Sequence, residues 1–572
     1  MNIINKIVKS NLWFLFTILI LVGINWLASV YHTRIDLTNE KRFTLSAPTK
    51  KLLKKLDDVV EIKIFLKGNF PSGFKKLANS TNEMLQEFKE VAGSKLQYSF
   101  VSPEDEMEDS KVKWGDTLGA MGLYPINLKS QLKAGEQQQL VYPVALMRYK
   151  EKVIPIKLYN GIPNIGRQEI NSAEALMEYQ LADGIYKLSG REKPMVAYSI
   201  GNGEPTVGSY ITYDLVENVL RPDYHLFTFN LNTQPLIPDT FNLLLIVKPT
   251  LAFTDIEKLR IDQFVMRGGK LLMFIDKLNA EMDSLRIKNE VIAYNRELGL
   301  DDLLFKYGIR INADLVMDLQ SDKLPFDVNG NGQYEFLSWN YFPVFVSKSD
   351  HPVNKNLGFV SGRFINSVDT VEAEGIKKTV LLSSSANART ISAPALISGK
   401  ENVNAPADEK FKMANIPVAV LMEGKFNSMY TNRLSAAMND SLGKYGEIFL
   451  TRNNTNNKMI IVADGDMVLN DVVKKEPLPM GMNSFTYGSQ YEYRFANKDF
   501  FTNCLDYLVD QSGLSDAKAK DYTLRLLDTK KLAVQKTNWQ LINIVAPILL
   551  VILFAVLFQW LRRRKYSHKI IL

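Results

Sequence analysis

The sequence is poor in cysteine and histidine, two side chains that often carry nucleophilic and metal chemistry. Its 572 residues include one cysteine, Cys504, and four histidines, His32, His225, His351 and His568. A single cysteine excludes an intrachain disulfide, and the apolar helical pattern FFTNCLDYL predicts that this thiol is buried in a core. His32 and His568 lie beside predicted membrane segments, so only His225 and His351 remain for chemistry in the body of the chain.

The chain also lacks a GxxxxGK[ST] loop, which excludes ATP binding through that motif. Its formal charge of +7 does not indicate a basic surface. Two positive charges precede the first long apolar stretch and five follow the last, with no acidic residue in either tail, so the region between them is near neutral. The basic composition therefore reflects membrane topology, and we expect no nucleic-acid partner.

What the sequence does contain is an uncharged apolar stretch near each end. Leu12 to Val30 and the region from Thr537 to Leu561 are each long enough to cross a hydrocarbon core of ~30 Å as a helix. They predict transmembrane helices over 12–31 and 539–561. The first stretch is longer than the ~7–15 apolar residues of a secretory signal, although the small residues Ala28 and Ser29 keep a cleaved signal peptide open as the alternative.

Basic residues flank both predicted spans. The residues concerned are Lys6 and Lys9 before the first span, and Arg562, Arg563, Arg564 and Lys565 after the second. Because positive charges are retained on the cytoplasmic side, the N-terminus (1–11) and the basic tail (562–572) are both predicted to be cytoplasmic. The bulk of the chain is then periplasmic and anchored in the inner membrane.

Residues 32–190 carry the pattern of a first α/β domain. Ser46 is a predicted N-cap, VVEIKIFL alternates as a half-buried strand does, and residues 74–91 repeat apolar positions at helical spacing. With the strand KLQYSFV they predict a parallel strand–helix–strand unit. QQLVYPVALMRYK and EKVIPIKLY are predicted to form a hairpin that turns at Lys150, and a long helix over 170–188 ends the domain.

Residues 191–515 predict a second, doubly wound α/β domain. The strands PMVAYSI, TFNLLLIVKP and KLLMFID alternate with the helical patterns VGSYITYDLVENVL and DIEKLRIDQFVMRGG, a layout similar to flavodoxin-like and class I glutamine amidotransferase sheets. From about 300 to 455 the pattern thins into a long predicted insertion. IPVAVLME and KMIIVADGD are expected to rejoin the same sheet, and residues 516–538 connect the domain to the second span.

The turn SIGNGE is a candidate ligand-binding corner, because ligands gather at the carboxyl ends of parallel strands. Gly201, Asn202, Gly203 and Glu204 form it. Nucleophilic catalysis would need a Ser or Cys at this corner and a His within reach, and Asn202 stands there instead. The alternative interpretation is a structural turn in which Pro205 begins a helix entry.

Two polar motifs offer oxygen ligands to a metal ion. DVNGNGQYE begins like a calcium loop, with Asp327, Asn329 and Asn331 in order, but Ser338 stands where a bidentate Glu is needed. A Gly/Asn-rich turn is the favoured interpretation.

ADGDMVLND places Asp464, Asp466 and Asp471 after an apolar strand. Without a His or Glu nearby, a capped turn into a helix is favoured over a metal site. We therefore expect no metal, no cofactor and no catalytic residue.

Four parts of the chain together resemble the auxiliary-component family of ABC transporters. They are RIDLTNEKRFTLSAPTKKLL, SIGNGE, the run IVKPT with IDQFVMRGGKLLMFID, and IVADGDMVLND with NKDFFTNCLDYL. Within that family the chain is most similar to the gliding-motility-associated GldG family, and the resemblance covers nearly the whole chain. Relatives often carry a His in the corner, as GHGE, and Asn202 departs from that pattern.

The resemblance implies a non-catalytic subunit that works with a separate ABC ATPase and an ABC permease, linked to gliding motility or envelope secretion and its components. Two helices are too few to form a translocation path, whereas a domain tethered at both ends suits the transfer of motion. Arg34, Asp36, Thr38 and Arg42 are expected to carry that motion. A ligand- or glycan-binding protein and a membrane-tethered hydrolase acting through Glu204 are the alternatives.

Overall fold

Strands of nearly continuous apolar sequence form the largest sheet among the described residues, which has seven strands. The computed structural model describes residues 12–30, 44–518 and 529–567, except for short gaps at 69, 71, 108–109, 122, 124, 133–134, 160–166, 191, 283–284, 286–289, 347–350, 356, 400–407, 445–447 and 511.

The described residues form helices of very different length. The α-helices are α1 Leu12–Val30, α2 Ala47–Lys54, α3 Ser72–Ala92, α4 Trp114–Ala120, α5 Arg167–Leu188, α6 Asp255–Met266, α7 Asp301–Tyr307, α8 Ala436–Gly443, α9 Asn497–Val509, α10 Ser515–Lys518 and α11 Thr529–Ser567. Shorter helical turns lie at Gly93–Lys95, Tyr210–Thr212, Asp214–Leu220, Arg221–Asp223 and Asp408–Lys410.

The strands are more numerous and mostly short. They are β1 Val60–Ile64, β2 Leu96–Phe100, β3 Ile126–Leu132, β4 Gly135–Val141, β5 Val144–Tyr149, β6 Lys152–Lys157, β7 Met195–Ile200, β8 His225–Asn230, β9 Leu243–Val247, β10 Lys270–Phe274, β11 Leu278–Asn279, β12 Glu290–Asn295, β13 Ile309–Ile311, β14 Asp314–Asp318, β15 Ser321–Phe326, β16 Glu335–Phe345, β17 Val360–Ser361, β18 Val368–Thr370, β19 Ile376–Ser383, β20 Ala388–Ser392, β21 Ala395–Ser398, β22 Pro417–Gly424, β23 Asn457–Val462, β24 Val472–Val473 and β25 Glu476–Pro477.

The first sheet has four strands in the order β2-β1-β5-β6. β1 and β2 are parallel and joined through α3, which confirms the predicted strand–helix–strand unit. β5 and β6 form the predicted hairpin, and Lys150 in its turn has a positive φ of 55°. Ser46 caps α2 as predicted, since its side chain accepts the Thr49 N–H.

One predicted strand in this region is wrong in its extent. QQLVYPVALMRYK is split into β4, which pairs with β3, and β5, which joins the four-stranded sheet. Pro143 lies at the break and has no N–H to donate, which explains why a single continuous ladder does not form there.

The central sheet has seven strands in the order β19-β22-β23-β10-β9-β7-β8. β8, β7, β9, β10 and β23 are mutually parallel, as predicted for a doubly wound domain. All five residues of β9 are buried, because helices and loops cover both faces of the sheet. Two apolar cores result, one on each face.

The last two strands of this sheet differ from the expectation of a parallel sheet. β22 runs antiparallel to β23, and β19 runs antiparallel to β22. IPVAVLME, as β22, and KMIIVADGD, as β23, rejoin the sheet as predicted, whereas the return of β19 from within the predicted insertion was not expected. The other strands of that insertion form small two- and three-stranded sheets, and β14, β15, β16 and β21 contribute to a further core that contains Trp339.

The helix predicted from VGSYITYDLVENVL is a 3₁₀ turn at Tyr210–Thr212 followed by a π-helical turn at Asp214–Leu220. Distant residues determine this conformation. The Asp214 N–H donates to Asn470 Oδ1 at 2.9 Å, and the Asp214 side chain accepts the Met480 N–H at 2.5 Å. These tertiary hydrogen bonds override the local helical preference.

Residues 1–521 form one compact unit and residues 522–572 form a second. Among the described residues, one helix is long and apolar enough to cross a membrane, Gln540–Arg564 in α11, and its side chains are exposed. In α1 the apolar part, Thr17–Trp26, falls short of that length. Two spans are therefore not established. Lys6, Lys9 and the segment containing Arg34, Asp36, Thr38 and Arg42 lie outside the described residues.

Candidate functional site

The order in which the chain adds strands to the central sheet reverses between β7 and β9, although the strands themselves stay parallel. β8 lies on one side of β7, whereas β9 and then β10 lie on the other. In open α/β sheets, ligands bind at the carboxyl ends of the two strands that flank such a switch point. The corner Gly201–Glu204 follows β7 and the loop from Lys248 follows β9, so both belong to this edge.

Glycines allow the two loops at the switch point to touch. Gly203 has a φ of +78°, and a Cβ built on it would lie 2.0 Å from Thr250 Oγ1. The backbone N–H groups of Thr250 and Leu251 donate to the Asn202 carbonyl at 2.8 and 2.9 Å. The crevice between β7 and β9 is therefore bridged by the chain's own backbone.

The Glu204 carboxylate is engaged by its own corner. It accepts the Ser199 hydroxyl at 2.7 Å through Oε1 and the Asn202 N–H at 2.7 Å through Oε2. Burial raises its pKa above the ordinary value, and these hydrogen bonds oppose that rise. In this geometry Glu204 holds the turn together.

Asn202 points inward, with a relative exposure of 2%. Its Nδ2 lies 3.4 and 3.5 Å from the two carboxylate oxygens of Glu257, the residue that completes the capping box of α6. Its Oδ1 is buried and has no hydrogen-bond partner among the described residues. Asn202 thus links the corner to the N-terminus of α6.

Neither candidate histidine approaches this corner within the described part of the chain. His225 pairs with Met195 at the amino end of β7, whereas the corner follows Ile200 at the other end, which is about 16 Å away along a strand. His351 packs against Tyr507 with ring centroids 4.5 Å apart. Cys504 is fully buried, as predicted, and burial raises its pKa.

A second polar cluster lies along the same edge, at the ends of β9, β10 and β23. Carboxylate oxygens of Asp276, Asp464 and Asp466 lie within 4.8 Å of one another. Lys248 Nζ lies 2.6 Å from Asp466, 3.2 Å from Glu281 and 3.6 Å from Asp276. The ammonium group thus brings positive charge to this acidic edge, as a metal ion would.

Backbone geometry brings these groups together. Lys248 has a positive φ of 43°, which is rare for a residue with a side chain. A Cβ built on Gly465 would lie 2.8 Å from Lys248 Cβ and 2.9 Å from Asp276 Oδ2. Glycine is therefore required between Asp464 and Asp466 for the lysine and the carboxylates to meet.

The ionisation of the cluster follows from burial and charge. Burial raises the pKa of Asp276 to about 6, although Lys248 opposes the rise, and burial also raises that of Asp464. For Lys248, burial favours the neutral form, but Asp466, Asp276 and Glu281 outweigh it and raise the pKa. The lysine therefore stays charged and compensates the acidic groups.

The ADGD turn has the predicted capping function but no following helix. Asp464 accepts backbone N–H groups from Arg363 at 2.7 Å, Asp466 at 2.8 Å and Met467 at 3.0 Å. The residues after it form turns, so the predicted helix is wrong. Asp471 lies apart from the cluster and forms a two-pronged ion pair with Arg363, whose second bond is 2.9 Å long.

The calcium-like loop is closed by its own hydrogen bonds. Asp327 accepts the N–H groups of Asn331 and Gly332, each at 3.1 Å, and Asn331 accepts that of Gln333 at 2.9 Å. Asn329 is exposed at the tip. The side chains thus stabilise a Gly/Asn-rich turn.

Sequence reasoning missed Lys248, Asp276 and Arg363. Lys248 and Asp276 stand within two residues of the end of an apolar strand, in LLLIVK and MFID. That position was the available signal, because carboxyl ends of neighbouring parallel strands meet at one edge. Arg363 gave no such signal, since it follows a two-residue strand in a loop-rich region.

The fold and the candidate site thus define a class of α/β protein in which parallel strands form the central sheet, loops after β7 and β9 contact each other, and Lys248 pairs with carboxylates at the same edge. The chain belongs to the family described as ABC-type uncharacterized transport system, whose model matches residues 193–504. It is therefore an accessory component of an ABC transporter system. A domain of unknown function matches residues 39–148.

One relative and two solved structures are similar to this chain at low sequence identity. An uncharacterized protein of Borreliella burgdorferi (strain ATCC 35210) is 23% identical over 439 residues, covering 74% of this chain and 79% of that protein. Among solved structures, the mmIFT52 N-terminal domain matches 55% of this chain and 97% of its own with a TM-score of 0.31 and 11% identity. The exo-β-1,4-mannosidase Op5Man5 of Opitutaceae bacterium strain TAV5 matches 51% and 34% with a TM-score of 0.18 and 10% identity.

Proposed function

We propose that this chain is a non-catalytic, membrane-anchored subunit of an ABC transporter complex, working with a separate ATPase and a permease. The observation that carries the proposal is the family match over residues 193–504, the region that contains the central sheet. The internally compensated edge of that sheet supports a structural role, since Glu204 and Lys248 are both held by neighbouring groups.

The proposed arrangement has two anchors with both termini in the cytoplasm. α11 supplies the apolar helix Gln540–Arg564, and Arg562, Arg563 and Arg564 end it with positive charge. α1 would be the second anchor. The central region would then lie on the periplasmic side of the inner membrane, where motion of partner helices could reach it from two ends through the predicted segment 33–42 and the connector 516–538.

Within this family, the resemblance of the sequence favours the GldG group linked to gliding motility or envelope secretion. With an anchor at each end, the chain would couple motion of the ATPase and permease to the proposed periplasmic region. The permease and the ATPase are the proposed partners, with envelope components as further candidates.

One observation favours a second candidate function, capture of a small ligand or glycan at Gly201–Glu204. The buried Asn202 Oδ1 has no partner among the described residues, and a buried acceptor of this kind needs a donor. Addition of a specific ligand that raises the melting temperature of wild-type protein, but not of Asn202→Ala, is the expected result for this function.

Purification of the full-length protein from its native membrane in mild detergent, with identification of bound proteins by mass spectrometry, tests the main proposal. Recovery of an ABC ATPase and a multi-helix permease in a fixed ratio is the expected result. Recovery of the chain without an ATPase, under conditions that retain another known ABC complex from the same membrane, would overturn it.

A further inference from the structure

The first and last segments of the described residues 44–518, called the entry and the exit, both pack against the same helix, α5. α2 begins after Ser46 at the entry, and α10 ends at Lys518 at the exit. Both α2 and α10 pack against α5. Two segments that are more than 450 residues apart in the sequence therefore pack against one helix.

The entry side is fixed to α5 by a hydrogen bond and by apolar contact. The Ser46 N–H donates to Glu178 Oε1 at 2.7 Å. Leu45 and Leu53 from the entry belong to the same buried core as Leu514 and Ala517 from the exit. A Cβ built on Gly513 would lie 3.5 Å from Pro48 Cγ, so the exit passes within about one methyl group of the entry.

The exit side is fixed by a buried ion pair. Lys518 is 4% exposed, and its Nζ lies 2.7 Å from Asn503 Oδ1, 3.9 Å from Asp506 Oδ2 and 4.0 Å from the centre of the Tyr179 ring on α5. Asp506 also accepts the hydroxyl groups of Tyr179 at 3.0 Å and Tyr224 at 2.7 Å.

These contacts make α10 difficult to displace alone. Burial by itself raises the pKa of Asp506, but Lys518 and Lys187 outweigh burial and hold the pKa below its usual range, so Asp506 is a carboxylate. Moving Lys518 away would leave that buried charge without its nearest cation, which is strongly unfavourable. A displacement of α10 is therefore expected to move α5 with it.

We propose that α5 is the junction through which the two membrane-proximal segments move together, with Glu178 holding the entry and Tyr179 and Asp506 holding the exit. The interpretation of this junction as a device that couples motion rests on the proposed function. The junction itself is a property of this chain alone, so it is measurable without any partner protein.

Native-state hydrogen exchange of the full-length wild-type protein in detergent, along a gradient of dilute urea, tests the junction directly. If the junction exists, the three segments open as a single cooperative unit. We therefore expect the amides in 44–56, 174–188 and 512–518 to share one opening free energy. Opening of 512–518 at a clearly lower free energy than 44–56 would overturn the proposal. This measurement needs no variant, so it holds if a variant fails to fold.

Lys518→Met provides the second measurement, since methionine keeps much of the apolar volume and removes the charge. Exchange in 44–56 is expected to rise by about 100- to 1,000-fold, the range that breaking a buried pair produces, although no hydrogen bond or ion pair of the described residues joins Lys518 to that segment. Lys113→Met is the control, because Lys113 pairs with Glu104 at 2.8 Å on the surface. A rise in exchange confined to 512–518 would contradict the proposed junction. Failure to purify an ATPase with the chain would not change this measurement, so the junction and the proposed function can fail independently.

Discussion

Replacement of Gly465 by alanine tests the charged edge of the central sheet most sharply. The new Cβ would lie 2.8 Å from both Cβ and Cγ of Lys248, and the first of these atoms is fixed to the backbone. The Lys248 side chain cannot simply rotate away, because its Nζ is held 2.6 Å from Asp466. Either the turn or the lysine has to shift.

Both consequences cost stability. Inserting a methyl group into a packed site costs about 1–3 kcal/mol, and separating a buried charge from its partner costs about 3–5 kcal/mol. Because a shift relieves part of the clash, we expect Gly465→Ala to lower the free energy of unfolding by about 2–4 kcal/mol. An unfolding entropy of about 2.1 cal/mol/K per residue gives about 1.1 kcal/mol/K for a unit that spans residues 1–521, so the melting temperature should fall by about 2–4 °C.

Thermal unfolding of full-length protein in detergent, followed by tryptophan fluorescence, measures this change. Gly443→Ala is the matched control, because Gly443 ends α8 and a Cβ there meets nothing within 4 Å. That control should unfold at or slightly above the wild-type temperature. A melting temperature for Gly465→Ala equal to that of Gly443→Ala would refute the account of the cluster.

Three further changes have distinct expected outcomes. Glu204→Gln should alter stability by less than about 0.5 kcal/mol, since one amide can serve both Ser199 and the Asn202 N–H, whereas Glu204→Ala leaves that N–H unpaired and should cost about 1–3 kcal/mol; urea unfolding distinguishes the two. Asp276 binds a proton more tightly in the folded state, so its contribution to stability should decline as pH rises from 3.8 to about 6. Asp276→Asn should remove that decline in urea titrations at several pH values, and an unchanged pH profile would contradict it. Leu553→Arg, near the centre of Gln540–Arg564, should oppose membrane insertion by about 2.5–3.5 kcal/mol, and alkaline extraction of membranes should then release more protein than from Leu553→Ile.

Local patterns predicted local structure well in this chain. The continuous apolar run LLLIV became the fully buried strand β9, and the pattern DIEKLRIDQFVMRGG became α6, with Gly268 at a φ of +99° just after its end. The Lys150 hairpin followed from alternation and a polar turn. In each case the determining interactions lie within a few residues of one another, so periodicity and turn chemistry suffice.

Features that depend on distant residues were not predicted. Apolar periodicity does not encode strand direction, so the antiparallel pairing of β19 and β22 could not be read from the sequence. The π-helical turn at Asp214–Leu220 depends on Asn470 and Met480.

In the candidate site, too, local sequence identifies some residues, whereas only the tertiary fold brings the others together. The corner Gly201–Glu204 could be proposed from the sequence because its residues are contiguous. The cluster was missed because Lys248, Asp276 and Asp466 come from three separate strand ends, and only the sheet order makes them neighbours. Sequence reasoning that places strand ends on a common edge could have proposed the cluster, but not its distances.

ATP hydrolysis by the partner transporter in proteoliposomes, measured with and without this chain, tests the accessory role directly. We expect the chain alone to hydrolyse no ATP and its addition to change the rate of ATP hydrolysis by the transporter. The Lys518→Met chain, incorporated in equal amount, should change that rate less than the wild-type chain does. An identical rate with and without the chain, in vesicles where all three proteins are present in the purified ratio, would contradict a role as an accessory component.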